Sequence, residues 1–348
     1  MHSTALLHLI RHSNTLLEDA PIPIVLPYVD SRTMKPLVQL LVLLLFLTGL
    51  DVFAADDTFP LNAKRILFLG DSNTHAGEFV NLIELQLRLR SVHPLPELIN
   101  IGLASETCSG LSEPDHPFPR PNVHERLDRA LVAVKPNVVV ACYGMNDGIY
   151  YPFSDERYKH YQDGINRLID KVHASGAKLV LVTPPPFDAM PLKGTDKLLP
   201  EGREKYAWFA VYENYDQVIK KYGTWLLEQK DRVEMVIDVH TPVTAYVELQ
   251  RKKHADFTVA PDGVHCNSAG HRVLAETILK AWGVGSWMPV SDDMTRLVNQ
   301  KGSLLHDAWL SHVGHKRPGV AAGLPLEEAQ AKADEIDKQL QLLIEAAK

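Results

Sequence analysis

Between residues 64 and 283 the chain alternates short apolar runs with longer segments whose apolar residues recur every three or four positions. The short runs, at residues 65–69, 97–101, 137–143, 178–183 and 233–239, predict strands. From Val138 the third run is continuously apolar, as expected of a strand buried on both faces. The longer segments predict helices over residues 79–90, 123–134, 157–174, 211–229 and 268–282. Ser154 stands as a cap before the third helix and Gly176 ends it, while Ser268 or Asn267 caps the last. Pro184-Pro185-Pro186 stops the fourth strand. Five alternations of strand and helix are most economically folded as a parallel sheet with helices on both faces. Active sites of such open sheets lie outside the carboxyl ends of the strands. After Gly283 the pattern changes. One short helix over 304–313 and one longer, strongly charged helix over 326–347 are expected. Residues 284–348 thus read as a helical C-terminal extension packed on a domain at 64–283.

The N-terminus has a different pattern. Met34-Lys35 precedes an apolar run over residues 37–50, then Val52-Phe53-Ala54-Ala55. A basic start, an apolar stretch and small residues at a cleavage point read as a secretory signal over 34–54. The run is short for a membrane span, so the alternative is an uncleaved anchor. Residues 1–33 lie upstream of that signal and show no sustained periodicity. The expectation is that translation begins at Met34, with a mature protein that is secreted or periplasmic and not inserted in the membrane.

Composition narrows the partners. The 348 residues are 45% hydrophobic and 23% charged, with a formal net charge of −7. This is ordinary globular composition, and it gives no reason to expect nucleic acid or an anionic membrane as partner. Three cysteines, Cys108, Cys142 and Cys266, do not make a disulfide framework. Cys142 lies in an apolar strand. Cys108 and Cys266 each follow a candidate loop, where free thiols are expected although a bond between them is conceivable. No Cys/His cluster has zinc spacing, and no metal or cofactor is expected.

Candidate chemistry sits where four segments follow strands or precede the last helix. The first strand runs into Gly70-Asp71-Ser72-Asn73, and the second into residues 100–107. The third leads to Gly144-Met145-Asn146-Asp147, and the last loop carries Asp262-Gly263-Val264-His265. An Asp three residues before a His can accept the proton of one imidazole nitrogen and leave the other free. Gly144 permits an unusual backbone, Asp147 ties its loop, and Gly102 is a close-packing or turn position. His75, one of 16 histidines, competes with His265 for the role of base but has no carboxylate at matching spacing.

Together the four blocks resemble the SGNH hydrolases, also called the GDSL esterase/lipase family, over residues 64–283. The resemblance implies a three-layer α/β/α, flavodoxin-like fold with a five-stranded parallel sheet. It implies Ser72 as nucleophile, His265 as base and Asp262 as the group that orients it. Asn146 would donate its side-chain amide to an oxyanion hole shared with the backbone of Ser72 and Ser105. The family has glycine at the position of Ser105, so the local backbone there is in question. Asp71, Asn73, Gly144, Tyr150 and Tyr151 are possible pocket residues. Ile149-Tyr150-Tyr151-Pro152-Phe153 reads either as a wall for a sugar ring or acyl group or as packing. His306, His312 and His315 are placed to fold over the pocket mouth, without metal spacing. The implied reaction is hydrolysis of a carboxylic ester, with a short acyl group on a carbohydrate preferred. A lysophospholipase, a thioesterase or an acyltransferase would use the same residues, and a non-catalytic polysaccharide-binding module is the alternative of another class.

Overall fold

The computed structural model describes residues 59–347. The segments read as an upstream stretch and an export signal lie outside the described residues. Five strands form one parallel sheet: β1 (Arg65–Gly70), β2 (Glu97–Asn100), β3 (Val138–Cys142), β4 (Lys178–Val182) and, last in the sheet, Met235–Ile237. A separate two-stranded pair, β5 (Leu198–Leu199) and β6 (Val211–Tyr212), intervenes in the chain, so Met235–Ile237 is β7. The order in the large sheet is β2-β1-β3-β4-β7, which is the flavodoxin-like order. The register is continuous, with Phe68 opposite both Asn100 and Val140.

The apolar strands are explained by burial on both faces. Leu67, Leu69, Val139, Ala141, Leu179 and Leu181 point into one core. Their neighbours Ile66, Phe68, Val138, Val140, Val180 and Val182 point into the other. The first core is closed by helices α3 (Leu127–Val134), α4 (Asp155–Ala174) and α5 (Tyr215–Leu227). The second is closed by α2 (Glu78–Leu89), α6 (His240–Arg251) and α7 (Ser268–Ala281). Two caps read from sequence form as expected: Ser154 accepts from Arg157 N–H, and Asn267 from Gly270 N–H.

The C-terminal region is a pair of helices, α8 (Asp292–Val313) and α9 (Leu326–Ala346). Met294, Leu297 and Val298 of α8 pack with Ile336, Leu340 and Ile344 of α9 against Leu85 and Leu89 of α2. Charges rim this third core. Glu84 and Arg88 of α2 meet at 2.6 Å, and Lys301 of α8 lies within 3.0 Å of Asp337 on α9.

Four elements differ from the pattern reading. Residues 211–229 are not one helix. Val211 and Tyr212 pair with Leu198 and Leu199, and Tyr212 N–H donates to the Tyr150 carbonyl, so α5 starts only at Tyr215. The helix expected over 304–313 begins twelve residues earlier, where Ser291 accepts from Met294 N–H and Asp292 and Asp293 occupy the first turn. Helix α1 (Ser72–Ala76) and helix α6 were not expected from the periodicity.

Candidate active site

The strand order reverses between β1 and β3, so the loops leaving these two strands diverge and leave a crevice at their carboxyl ends. Ser72 is the first residue of α1, immediately after β1. Asp71 caps that helix, its carboxylate accepting from Asn73 N–H at 3.2 Å. Burial raises the Asp71 pKa to about 7 against the pull of that bond.

The loop after β2 is pressed on α1. Asn100 Nδ2 donates to the Thr74 carbonyl at 2.7 Å, and Gly102 N–H donates back to Asn100 Oδ1 at 2.8 Å. A Cβ on Gly102 would lie 2.5 Å from the His75 nitrogen, so only glycine allows this approach. Three residues on, Ser105 has φ +67°. That left-handed backbone answers the question raised by the missing glycine: a serine occupies the conformation that glycine adopts freely.

Asn146 follows β3 and is buried. Its Nδ2 donates to the Glu106 carbonyl at 3.1 Å, and its Oδ1 accepts from the Tyr150 hydroxyl at 2.8 Å. These two bonds assign the amide orientation and leave its second N–H available. Asp147 Oδ1 accepts from the N–H groups of Cys108 and Ser109 at 2.8 and 2.7 Å, tying the loops after β2 and β3 together. Gly144 has φ +143° and lies against Pro184. Ile149 and Tyr150 also take positive φ, +48° and +64°, which is costly for a β-branched residue.

Two buried ion pairs support this region. Arg126 meets Glu106 through two bonds of 2.7 Å, and the Tyr143 hydroxyl adds a third at 2.6 Å. Nearer the cleft, Arg120 grips Glu113 at 2.6 and 2.7 Å, reaches the Ser105 carbonyl at 3.3 Å, and stacks over the Tyr150 ring.

The loop before α7 is held differently. Asp262 Oδ2 meets His265 Nδ1 at 2.6 Å, while Oδ1 accepts from the N–H groups of Val264 and His265 at 3.0 and 2.8 Å. Partial burial acts to raise the Asp262 pKa, but the bonds from His265 outweigh it and hold the carboxyl well below its ordinary value. The same bond raises the His265 pKa above 6.5. Asn73 ties this loop to α1, donating to the Val264 carbonyl at 3.1 Å and accepting from Cys266 N–H at 2.9 Å.

One cleft of about 240 Å³ brings Ser72, Ser105, Asn146, Tyr150 and His265 together. Asp262 stands behind His265. Asp71, Asn73, Gly144 and Tyr151 do not line the cleft: the first two are buried in the turn and the loop tie, Gly144 packs on Pro184, and Tyr151 lies between Tyr206 and Arg157. His75 is directed to the Gly102 carbonyl and the His306 ring, and burial lowers its pKa to about 4. His306 is buried with Nε2 2.9 Å from the same carbonyl. His312 packs on Trp309, and neither it nor His315 lines the cleft.

The lining also includes residues that the sequence reading passed over: His116, Pro117, Phe118, Arg120, Trp208 and Arg317. The available signal was a Pro-rich, aromatic insertion at residues 113–122, placed between two blocks that both belong at the carboxyl ends of strands. The cysteines are free thiols, and burial raises the pKa of Cys266 to about 12. Among the described residues no group of three or more His, Cys, Asp and Glu side chains is placed to hold a metal ion, and no helix is long and apolar enough to cross a membrane.

The model of the GDSL-like Lipase/Acylhydrolase family matches residues 68–273, more than half of the chain. No curated protein matches it. Among solved structures, BT4096, described as a gut microbial diltiazem-metabolizing enzyme, aligns with a TM-score of 0.50 at 21% identity, over 63% of this chain and 47% of that one. The chain therefore spans about half the length of that protein, and the likeness is one of fold. A catalytic mutant of Axe2, an acetylxylan esterase from Geobacillus stearothermophilus, aligns with a TM-score of 0.45 at 20% identity, over 66% of this chain and 97% of its own. The acetyl xylan esterase AlAXEase gives 0.44 at 20%, over 62% and 98%.

Proposed function

The chain belongs to the GDSL-like lipase/acylhydrolase family, a family of ester hydrolases, and from that premise we propose that it cleaves a carboxylic ester by a Ser72–His265–Asp262 mechanism. The observation that carries the reading is the 2.6 Å contact between Asp262 and His265 Nδ1, beside a cleft shared by His265, Ser72, Ser105 and Asn146. With Nδ1 engaged, Nε2 is the nitrogen left to take a proton.

Ser72 Oγ attacks the ester carbonyl carbon as His265 Nε2 accepts the hydroxyl proton. The C=O electron pair moves onto oxygen, and that oxyanion takes hydrogen bonds from the free Asn146 N–H and the backbone N–H groups of Ser105 and Ser72. Collapse breaks the C–O bond to the alcohol, which leaves with the proton from His265. Water, deprotonated by His265, then cleaves the acyl-serine and restores the hydroxyl. Asp262 stays ionised throughout and stabilises the imidazolium.

The cleft volume supports a small acyl group, since pockets for larger ligands run from roughly 300 Å³ upward. Trp208, 53% exposed at the cleft, supports a sugar as the alcohol part. The Lys35, apolar run and Ala54-Ala55 order supports export with cleavage near Ala55. N-terminal sequencing of the exported protein tests this, and retention of residues 1–33 would overturn it. The test of the activity is a panel of short- and long-chain esters and acetylated sugars, wild type against Ser72→Ala, with a serine-directed phosphonate. Hydrolysis of short esters and labelling at Ser72 are expected. Full activity in Ser72→Ala would end the proposal.

A further inference from the structure

The cleft holds two arginines in opposite circumstances. Arg120 is neutralised, its guanidinium gripped at two points by Glu113. Arg317 comes from the segment between α8 and α9 and is half-buried at the cleft. Its guanidinium lies 5.2 Å from the Phe118 ring centre, and Nη1 donates to the Pro318 carbonyl at 3.0 Å. Among the described residues it has no ion-pair partner, and its Nε is buried with no hydrogen-bond partner. The other charges at the cleft are accounted for. Asp262 is committed to His265. Burial and the nearby Arg120 keep the His116 pKa below its ordinary value, so that ring is neutral near pH 7. The remaining unbalanced charge is therefore that of Arg317, on the cleft that the candidate nucleophile also lines.

A guanidinium presents a planar fork of donors that fits a carboxylate or a sulfate and adds charge to each hydrogen bond. Stacking on Phe118 holds that fork in place and limits the entropy lost on binding. Trp208, on the same cleft, is a half-exposed aromatic residue of the kind that a sugar ring can cover. The protein as a whole is anionic, with a net charge of −7, so an attraction for anions here is a property of this spot and not of the surface.

We propose that the alcohol part of the substrate is a sugar carrying an anionic group, carboxylate or sulfate, which docks on Arg317 while the ring lies on Trp208. The proposal rests on the esterase reading of the site. It gives the C-terminal extension a role in selecting substrate through a residue outside the region that the family model matches.

The experiment measures binding of three unesterified sugars to the full chain by calorimetry: glucose, glucuronate and glucose 6-sulfate. At low salt at least one anionic sugar should bind about ten-fold or more tightly than glucose, the scale of one hydrogen bond to a charged group. The advantage should shrink as salt rises. Preference for glucuronate identifies a carboxylate, and preference for the sulfate a sulfated sugar; either supports the proposal. Arg317→Gln should bring the three sugars level, and Arg317→Lys should keep part of the advantage. Thermal melting checks that both variants fold. Equal binding of all three sugars by wild type, no detectable binding of any, or a preference surviving in folded Arg317→Gln would overturn it. The O-acetylated forms are assayed in parallel. Hydrolysis without charge preference sinks the anion site and leaves the esterase. Charge-selective binding without hydrolysis sinks the esterase and leaves the anion site.

Discussion

The two halves of the candidate site are built by opposite means. The acid–base half is local and open. Asp262 and His265 are three residues apart, their side chains are 52% and 54% exposed, and Asp262 also binds two backbone N–H groups of its own loop. The oxyanion half is dispersed and dry. Asn146 is oriented by Tyr150 and by the backbone of Glu106, and Glu106 is in turn held by Arg126 and Tyr143. The Glu106 and Arg126 side chains are 0% and 1% exposed. A base that must exchange protons with substrate and water benefits from access. A donor that must meet a developing charge benefits from being fixed in a low-dielectric place before the charge appears. The two halves should therefore fail differently: the first by losing chemistry in a stable protein, the second by losing chemistry and stability together.

The largest effect is expected in the open half. Ser72→Ala and His265→Ala should each lower kcat by roughly 10⁴-fold or more, with thermal melting close to wild type. A large drop in melting temperature would show that this half is structural as well.

Asp262→Asn sharpens the same half through pH. His265 must be neutral to act as base, and its pKa is raised above 6.5 by Asp262. Activity should therefore fall as pH drops through a value above 6.5. In Asp262→Asn the residual activity should keep its acid limb at lower pH. The linkage to stability has the opposite sense: the contribution of the charged pair is complete below 6.5 and fades as pH rises through the folded-state pKa. An acid limb unmoved in Asp262→Asn would detach that limb from His265.

In the dispersed half, Asn146→Ala should cost roughly 10²–10³ in kcat, the usual loss for one oxyanion donor. Tyr150→Phe leaves the donor but frees its orientation, so a smaller loss is expected, about ten-fold. Equal losses in the two variants would mean that Tyr150 acts on substrate directly. Arg126→Met should cost about 3–5 kcal/mol in denaturant unfolding, because it strands the Glu106 carboxylate in a buried site. Unchanged stability there would break the contrast between the halves.

The smallest effects belong to the glycine and alanine variants of Ser105. Ser105→Gly relieves a left-handed backbone and should be active and more stable by about 1 kcal/mol. Ser105→Ala keeps the N–H and should be mild, while Ser105→Pro removes the donor and should be severe. If folded Ser105→Ala were as damaging as Asn146→Ala, the hydroxyl and not the main chain would be the working group.

Much of this was legible in the chain because the signals are local. Continuous apolar runs such as 138–142 name strands buried on both faces, and five of them alternating with amphipathic helices leave one economical sheet. Gly70-Asp71-Ser72, Asn146 and Asp262 with His265 each declare themselves within a few residues. Other features needed contacts that no local window contains. Val211 and Tyr212 continue the apolar spacing of the helix that follows them, yet become a strand because Leu198 and Leu199 offer a partner. The early start of α8 rests on Ser291 as cap and on a stripe of Met294, Leu297 and Val298 whose value lies in the apolar side of α2 that it covers.

By itself, then, the sequence determined the alternation of elements, the parallel sheet and the three-residue spacing that lets Asp262 reach His265, since each depends on spacing that the covalent chain imposes. The tertiary structure decided what stands around that pair. It placed a serine at φ +67° in a position suited to glycine, because Arg120 and the packing of Gly102 on α1 hold the loop there. It aimed Asn146 through Tyr150 and Glu106, and brought Arg317 from beyond α8 to a cleft that begins at Ser72. Those are long-range choices, made by burial and hydrogen-bond satisfaction between segments distant in the chain.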